Sequence, residues 1–266
     1  MLHAFTNVDA QNRPESWVDV LDRLRREPFY VAYKARVMEL LAPRREGLYL
    51  EVGAGTGDDA RIAAESAGAV VVGIDLSQTM MREALRRGLP TCITGDAHAL
   101  PFAAGTFDGC WADRTFQHLL DTEQTLDEMV RVLRPGGRIV TADPDYGTQE
   151  MAFPDQGLAQ KVFRFRAEKG LRNGTLAHGI HAMFTAHGLS DVCSEKMTLE
   201  VHDPTAVDNV MGLKTWARSA CSADDMSKSE VARWEELYDE TIAAGRFRYA
   251  VSFFLTSGVK AGAETV

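Results

Sequence analysis

Apolar runs of four to seven residues alternate with amphipathic stretches along the first half of the chain. Trp17, Val20, Leu21 and Leu24 fall at i, i+3, i+4 and i+7, which predicts a helix over 14–27 with Pro14 in its first turn and Pro28 ending it. A second helix is predicted over 29–41, carrying Tyr30, Tyr33, Val37 and Leu40 before Pro43. Leu48, Leu50 and Val52 then alternate as a strand does, and residues 60–67 follow as a helix. The run 69–75 is apolar on both faces, Ser77 is placed to cap a helix over 78–87 and Gly88 to end it, and short strands are expected at 91–94 and 107–112. Asp121 and Gln124 have capping-box spacing ahead of Leu126, Met129, Val130 and Leu133. Pro135-Gly136-Gly137 reads as a tight turn into a fifth strand, 138–142. Continuous apolar strands alternating with helices indicate a parallel sheet covered on both faces.

Beyond Asp143 the rhythm changes. Helices are expected over 151–166 and 175–187, a sixth strand over 192–201, one or two helices within 204–238, and a seventh strand over 248–257. No internal repeat or low-complexity linker interrupts this order.

The chemistry concentrates after the first strand, in Glu51-Val52-Gly53-Ala54-Gly55-Thr56-Gly57. Glycines relieve backbone angles closed to other residues and let a ligand lie against the main chain. A dinucleotide turn spaces its glycines Gly-x-Gly-x-x-Gly to set a pyrophosphate on a helix N-terminus. Here the third glycine comes one residue early and Glu51 stands two residues before the first, which suits a ligand without phosphates. Asp75 ends the second strand about 20 residues on, where an acid holds ribose hydroxyls in nucleotide-binding α/β folds. Gly95-Asp96-Ala97 follows the third strand.

Composition narrows the partners. With 45% hydrophobic and 25% charged residues among 266, the chain is an ordinary globular protein, and its formal net charge of −9 weighs against nucleic acid. No apolar run is long enough to span a bilayer and Met1–Gln11 has no signal-peptide pattern, so the expectation is a cytoplasmic protein with no membrane partner. Four cysteines form no Cys-x-x-Cys pair, and seven histidines, His178 and His181 included, show no ligand spacing; no metal site is expected.

Together Glu51–Gly57, Asp75-Leu76-Ser77, the block Gly95-Asp96-Ala97-His98-Ala99-Leu100-Pro101-Phe102 and Arg131-Val132-Leu133-Arg134-Pro135-Gly136-Gly137-Arg138 resemble the ubiquinone/menaquinone-biosynthesis-like (type 11) branch of class I S-adenosylmethionine (SAM) methyltransferases. Asn7-Val8-Asp9, Asp143-Pro144-Asp145 and Arg172-Asn173-Gly174 extend the likeness to bacterial small-molecule enzymes of that branch. Glu51 stands for the commoner aspartate and Ala54 for a frequent cysteine. The resemblance implies a Rossmann-like seven-stranded, mostly parallel sheet of order 3-2-1-4-5-7-6, with a helical cap (1–45), a SAM-binding core (46–143), a helical lid (144–188) and a segment completing the core (189–266). It implies a SAM site of Glu51, Gly53, Ala54, Gly55, Gly57, Asp75, Leu76, Met80, Gly95, Asp96, Ala97, Asp113 and Arg114, with S-adenosylhomocysteine (SAH) as product. Asp96 would accept the adenine amino group, while Asp113 would lie near the methionyl amine and Arg114 would offset a carboxylate of cofactor or substrate.

His118 follows the fourth strand at the expected mouth of the cleft and is the candidate general base. Phosphoethanolamine methyltransferases, a related group, pair such a histidine with a tyrosine from the cap, a part open to Tyr30 or Tyr33. The function expected is methyl transfer to a small, partly apolar metabolite through oxygen, nitrogen or carbon. The alternative is a SAM-binding cyclase or decarboxylase that transfers no methyl. A homodimer is left open. A DNA amino-methylating enzyme fits poorly, since Asp113-Arg114-Thr115 replaces its Asn/Asp-Pro-Pro-Tyr/Phe block, and a nicotinamide oxidoreductase fits worse.

Overall fold

The structure, a computed structural model, describes residues 8–204 and 212–262; Asn7 and 205–211 therefore lie outside the described residues. Seven strands, β1 (Leu48–Val52), β2 (Val70–Asp75), β3 (Cys92–Thr94), β4 (Phe107–Asp113), β5 (Leu133–Met151), β6 (Leu189–Val201) and β7 (Tyr249–Lys260), form one sheet of order β3-β2-β1-β4-β5-β7-β6. The pairings from β3 to β5 are parallel, and β7 runs against both its neighbours. This is the Rossmann-like arrangement expected. The period-2 alternation of side chains divides the core in two. Tyr49, Val71, Trp111 and Val140 point to α2 (Pro28–Leu41) and α3 (Asp58–Ala67), whereas Leu50, Val52, Cys110 and Ile139 point to α5 (Thr122–Val132) and α7 (Ile180–Ala186). The chain leaves β1 toward β2 on one side and reaches β4 on the other. Their carboxyl ends therefore open a crevice at the topological switch point.

Helix α1 (Ser16–Arg26) packs on α2, and α4 (Gln78–Arg86) begins where Ser77 Oγ accepts the Met80 N–H at 3.2 Å. The N-terminus is drawn onto that same cap: Asp9 accepts from Ser77 Oγ at 2.8 Å and from the Gln78 N–H at 2.7 Å. Burial opposes ionisation of Asp9, but these hydrogen bonds outweigh it and hold its carboxyl below the ordinary value.

The second half departs from expectation. β5 starts at Leu133 and runs to Met151 because it pairs with β4 at its start and with β7 along the rest. Pro135-Gly136-Gly137 is consequently a bulge inside the strand, between Leu133 opposite Phe107 and Arg138 opposite Gly109. The helix expected from 151 begins only at Gln156, capped by Asp155, and ends in a π-helical turn over Arg166–Gly170. Residues 175–187 split into a 3-10 turn (Ala177–Gly179) and α7. Helices Leu213–Ser222 and Lys228–Ala243 follow, the second outrunning Tyr238. At α5 only half the capping box forms: Asp121 accepts the Gln124 N–H at 2.9 Å, while the Gln124 amide donates to the His98 carbonyl at 2.9 Å. No helix among the described residues is long and apolar enough to cross a membrane.

Candidate functional site

Gly53, Gly55 and Gly57 all have left-handed backbone, with φ of +74°, +52° and +70°. A Cβ at Gly53 would meet Thr115 Oγ1 at 2.2 Å, and one at Gly57 would meet Ala84 Cβ at 2.6 Å and Leu89 Cδ2 at 2.8 Å. The bareness of Gly57 lets α4 close against the start of α3. The Gly53 and Ala54 N–H groups both donate to the Ile74 carbonyl, at 2.8 and 3.0 Å, tying the turn to the end of β2. Asp75 completes the link: one carboxylate oxygen accepts the Gly55 N–H and the other the Ser77 N–H, each at 2.9 Å. Burial pushes the Asp75 carboxyl up from its ordinary value, and the two N–H donors act against that.

A cavity of about 240 Å³ opens over this turn. Asp75, Leu76 and Met80 line it, with Gly95, Asp96 and Ala97 from the loop after β3. Met80 is buried, whereas Leu76 is 60% exposed at the rim. Asp96 accepts from the His98 N–H at 2.9 Å and from His98 Nδ1 at 2.5 Å; His98 Nε2 in turn accepts the Asp121 N–H at 3.1 Å. The imidazole thus clamps the loop to the cap of α5. Although burial opposes it, this pair of bonds holds the Asp96 carboxyl below the ordinary range. Leu21, Leu24 and Arg25 of α1 cover the cavity, joined by Val8.

Glu51, also on the wall, is buried and already engaged, accepting the Ala60 N–H at 2.9 Å and Trp111 Nε1–H at 3.1 Å. Burial, reinforced by nearby Asp59, pushes its carboxyl well above the ordinary value. Its visible work is to fix the first turn of α3 behind the glycines. Asp113 ends β4 and accepts Tyr33 OH at 3.0 Å and Lys34 Nζ at 2.5 Å, and Lys34 also binds Asp59. Burial opposes the charge on Lys34, but Asp113 and Asp59 together raise its pKa.

Tyr30, Arg114, His118 and Arg172 also line the cavity. His118 closes a 3-10 turn, Phe116–His118, its N–H donating to the Thr115 carbonyl at 2.9 Å. Tyr30 is buried, with its ring 5.3 Å from that of Tyr33, and among the described residues its hydroxyl has no hydrogen-bond partner. Burial pushes its phenol up to about 12, tempered by Arg114. The Arg114 guanidinium lies 5.5 Å from the Tyr30 ring centroid. Of the two tyrosines considered for catalysis, Tyr30 lines the cavity; Tyr33 does not, and its hydroxyl donates a hydrogen bond to Asp113.

All thirteen residues of the expected cofactor site reach this cavity except Gly57, which shapes it from behind. Lys34, Asp59 and Arg25 carry no spacing signature and enter the site only through the fold, while Leu21 and Leu24 were read as a helix face and Arg172 as part of the family likeness, neither as cavity wall. The one trace of the Val8–Asp9 anchor was its place in the family likeness. Among the described residues no three histidine, cysteine or acidic side chains gather as metal ligands; His178 instead binds Asp145.

Residues 50–141 match the family model of the methyltransferase domain. The chain is 32% identical over 244 residues to an uncharacterised 37.1 kDa protein of transposon TN4556 from Streptomyces fradiae, covering 90% of this chain and 70% of that one. It is 37% identical over 131 residues to a demethylmenaquinone methyltransferase of Thermus thermophilus, covering 47% of this chain and 60% of that enzyme. The fold is similar to that of phosphoethanolamine N-methyltransferase 2 from Haemonchus contortus, crystallised with S-adenosyl-L-methionine, at a TM-score of 0.62 and 18% identity over 97% of this chain and 60% of that one.

Proposed function

Because the chain belongs to the class I SAM-dependent methyltransferases, in their ubiquinone/menaquinone-biosynthesis-like branch, we propose that it transfers a methyl group from SAM to a small-molecule acceptor. One observation carries the reading: the glycine turn, Asp75 and Asp96, separate in sequence, line a single cavity that also holds His118. The residues fit the cofactor by their chemistry. Asp75 is fixed by two N–H donors at the end of β2, placed to take ribose hydroxyls, and Asp96, held ionised by His98, offers an acceptor for the adenine amine beside the Ala97 N–H. The turn from Gly53 to Gly55 leaves main chain bare for the methionyl part.

Bound SAM supplies a methyl group made electrophilic by its sulfonium sulfur. The protein's part is alignment and exclusion of water, which Leu21, Leu24 and Met80 serve by walling the cavity with hydrocarbon. His118 takes the proton when the acceptor must lose one. Tyr30 stays protonated at neutral pH and orients the acceptor as a hydrogen-bond donor. The cap (1–45) and lid (144–188) would enclose the acceptor, the lid giving Arg172 and the cap Tyr30; β5 crosses the 143/144 boundary unbroken to Met151, so residues 144–151 of the expected lid belong to the sheet. All four cysteines are free thiols, which suits the reducing cytoplasm.

Calorimetry with SAM and SAH tests the reading, and binding of neither would end it. Transfer of label from methyl-labelled SAM to any acceptor would separate it from the cyclase or decarboxylase alternative, which no feature of the described residues favours.

A further inference from the structure

The cations on the cavity wall divide into two kinds. Arg25 is paired with Asp58, and Lys34 with Asp59 and Asp113. Arg114 and Arg172 differ: among the described residues no carboxylate lies within ion-pair distance of either guanidinium, and Arg114 Nε is buried with no hydrogen-bond partner. Arg172 is exposed, whereas Arg114 is half-buried and is acted on by Asp113 and Asp143 only from beyond ion-pair distance, so a close counter-charge is left for a ligand to supply.

The backbone aims both side chains. Arg114 sits at φ +54°, a conformation disfavoured for any residue with a Cβ, and is held there by its N–H on the Ala142 carbonyl at 2.7 Å and by Gln117 Nε2, which donates to its carbonyl at 2.9 Å. Arg172 is placed by its neighbour: Asn173 Nδ2 donates to the Phe116 and Leu119 carbonyls, each at 2.9 Å, and so pins the loop to the turn that carries His118. The two guanidiniums therefore line the cavity together with the candidate base, on segments that follow β4 and β5, while Asp75 and Asp96 follow β2 and β3 across β1 in the sheet.

Resting on the methyltransferase reading, we propose that the methyl acceptor carries an anionic oxygen group, a carboxylate or a phosphate, received by Arg114 and Arg172 with a hydrogen bond from Tyr30. The planar fork of arginine matches either group through two parallel N–H bonds. The carboxylate of SAM itself is the competing source of the same chemistry, and the test separates the two.

Full-length protein saturated with SAH is titrated calorimetrically with benzoate, phenyl phosphate and benzyl alcohol. At least one anion is expected to bind, at least tenfold more tightly than benzyl alcohol, and which anion wins tells carboxylate from phosphate. Arg172→Gln should weaken the anion tenfold or more while SAH affinity stays within twofold, and Arg114→Gln should weaken the anion tenfold or more and by a larger factor than it weakens SAH. Failure of both anions to bind, equal binding of benzyl alcohol, or substitutions that weaken SAH and spare the anion would overturn the proposal, the last by assigning the guanidiniums to the cofactor. Should Arg114→Gln disturb folding, Arg172→Gln decides, since Arg172 is exposed and bonds no described residue through its side chain. A protein that binds the anion but neither SAM nor SAH would sink the methyltransferase reading and leave this site standing.

Discussion

A histidine at a cavity mouth does chemistry only if the acceptor has a proton to lose, so His118 is best tested apart from binding. His118→Ala should cut single-turnover methyl transfer by about 10²- to 10⁴-fold, the usual contribution of a general base, with SAH affinity within twofold; undiminished turnover would reduce His118 to scaffold. Glu51 poses the opposite case, a carboxyl whose effect is on stability. Its pKa is raised by burial and by Asp59. The stability it contributes is fully present below the ordinary glutamate value of 4.5 and is lost as pH rises toward the folded-state value. Relative to Glu51→Gln, the wild type should therefore lose stability between pH 4 and neutrality in urea titrations, and a pH-independent difference would refute the assignment. Glu51→Ala leaves the Ala60 N–H and the Trp111 indole N–H without their acceptor, at about 1–3 kcal/mol for each buried donor. At this scale the acids were legible because each sits at or just beyond the end of a strand or in a glycine turn. Lys34 was not, because a lysine inside a helix looks the same whether it faces solvent or a ligand, and Arg172 was marked only by the family likeness, which gave it no role.

Among elements, the join between α3 and α4 depends on one missing methyl group. Gly57→Ala adds a Cβ at φ +70°, 2.6 Å from Ala84 Cβ, and combines left-handed strain of about 1–2 kcal/mol with overpacking of about 1–3 kcal/mol. A drop of several kcal/mol in chemical denaturation, accompanied by at least tenfold weaker SAH binding, is expected; a variant of wild-type stability would show that the two helices adjust freely. The parallel half of the sheet could be read from sequence since β1, β2 and β4 are apolar runs bounded by glycine or by a capping residue. β5 could not, because Pro135, Gly136 and Gly137 signal a turn wherever they occur, and only pairing with Phe107 and Gly109 turns them into a bulge. Likewise Met151 has helical neighbours on its C-terminal side but is taken by Tyr249 across β7.

For the molecule as a whole, access to the cavity turns on α1, which was legible as an amphipathic helix but not as a cover. Arg25 of α1 pairs with Asp58, and Asp22 with Arg87 Nη1 at 2.6 Å, Arg87 being bonded also to Asp58 and Glu83. Asp22–Arg87 is partly exposed and contributes about 0–1 kcal/mol, whereas Asp58 is buried and Leu24 is 2% exposed, so α1 should open as a local unit, less often than a frayed end but more often than the whole protein unfolds, and then expose the bonds after Arg23, Arg25 and Arg26 to trypsin. Ligand enclosed beneath Leu21 and Leu24 must leave before α1 can open. At a free SAH concentration one hundred times its Kd, opening becomes harder by about 2.7 kcal/mol, which slows cleavage at those arginines by up to about a hundredfold when opening and closing are fast relative to cutting. Asp22→Asn should do the reverse, speeding cleavage at 23–26 in the free protein while leaving sites beyond residue 46 unaffected, because it frees α1 from Arg87 and leaves the bonds of Arg87 to Asp58 and Glu83 in place. Were SAH to bind and leave the rate of cleavage within 23–26 unchanged, α1 would be a fixed wall, and the acceptor would have to enter past Leu120 at the opposite rim, where that side chain is 75% exposed.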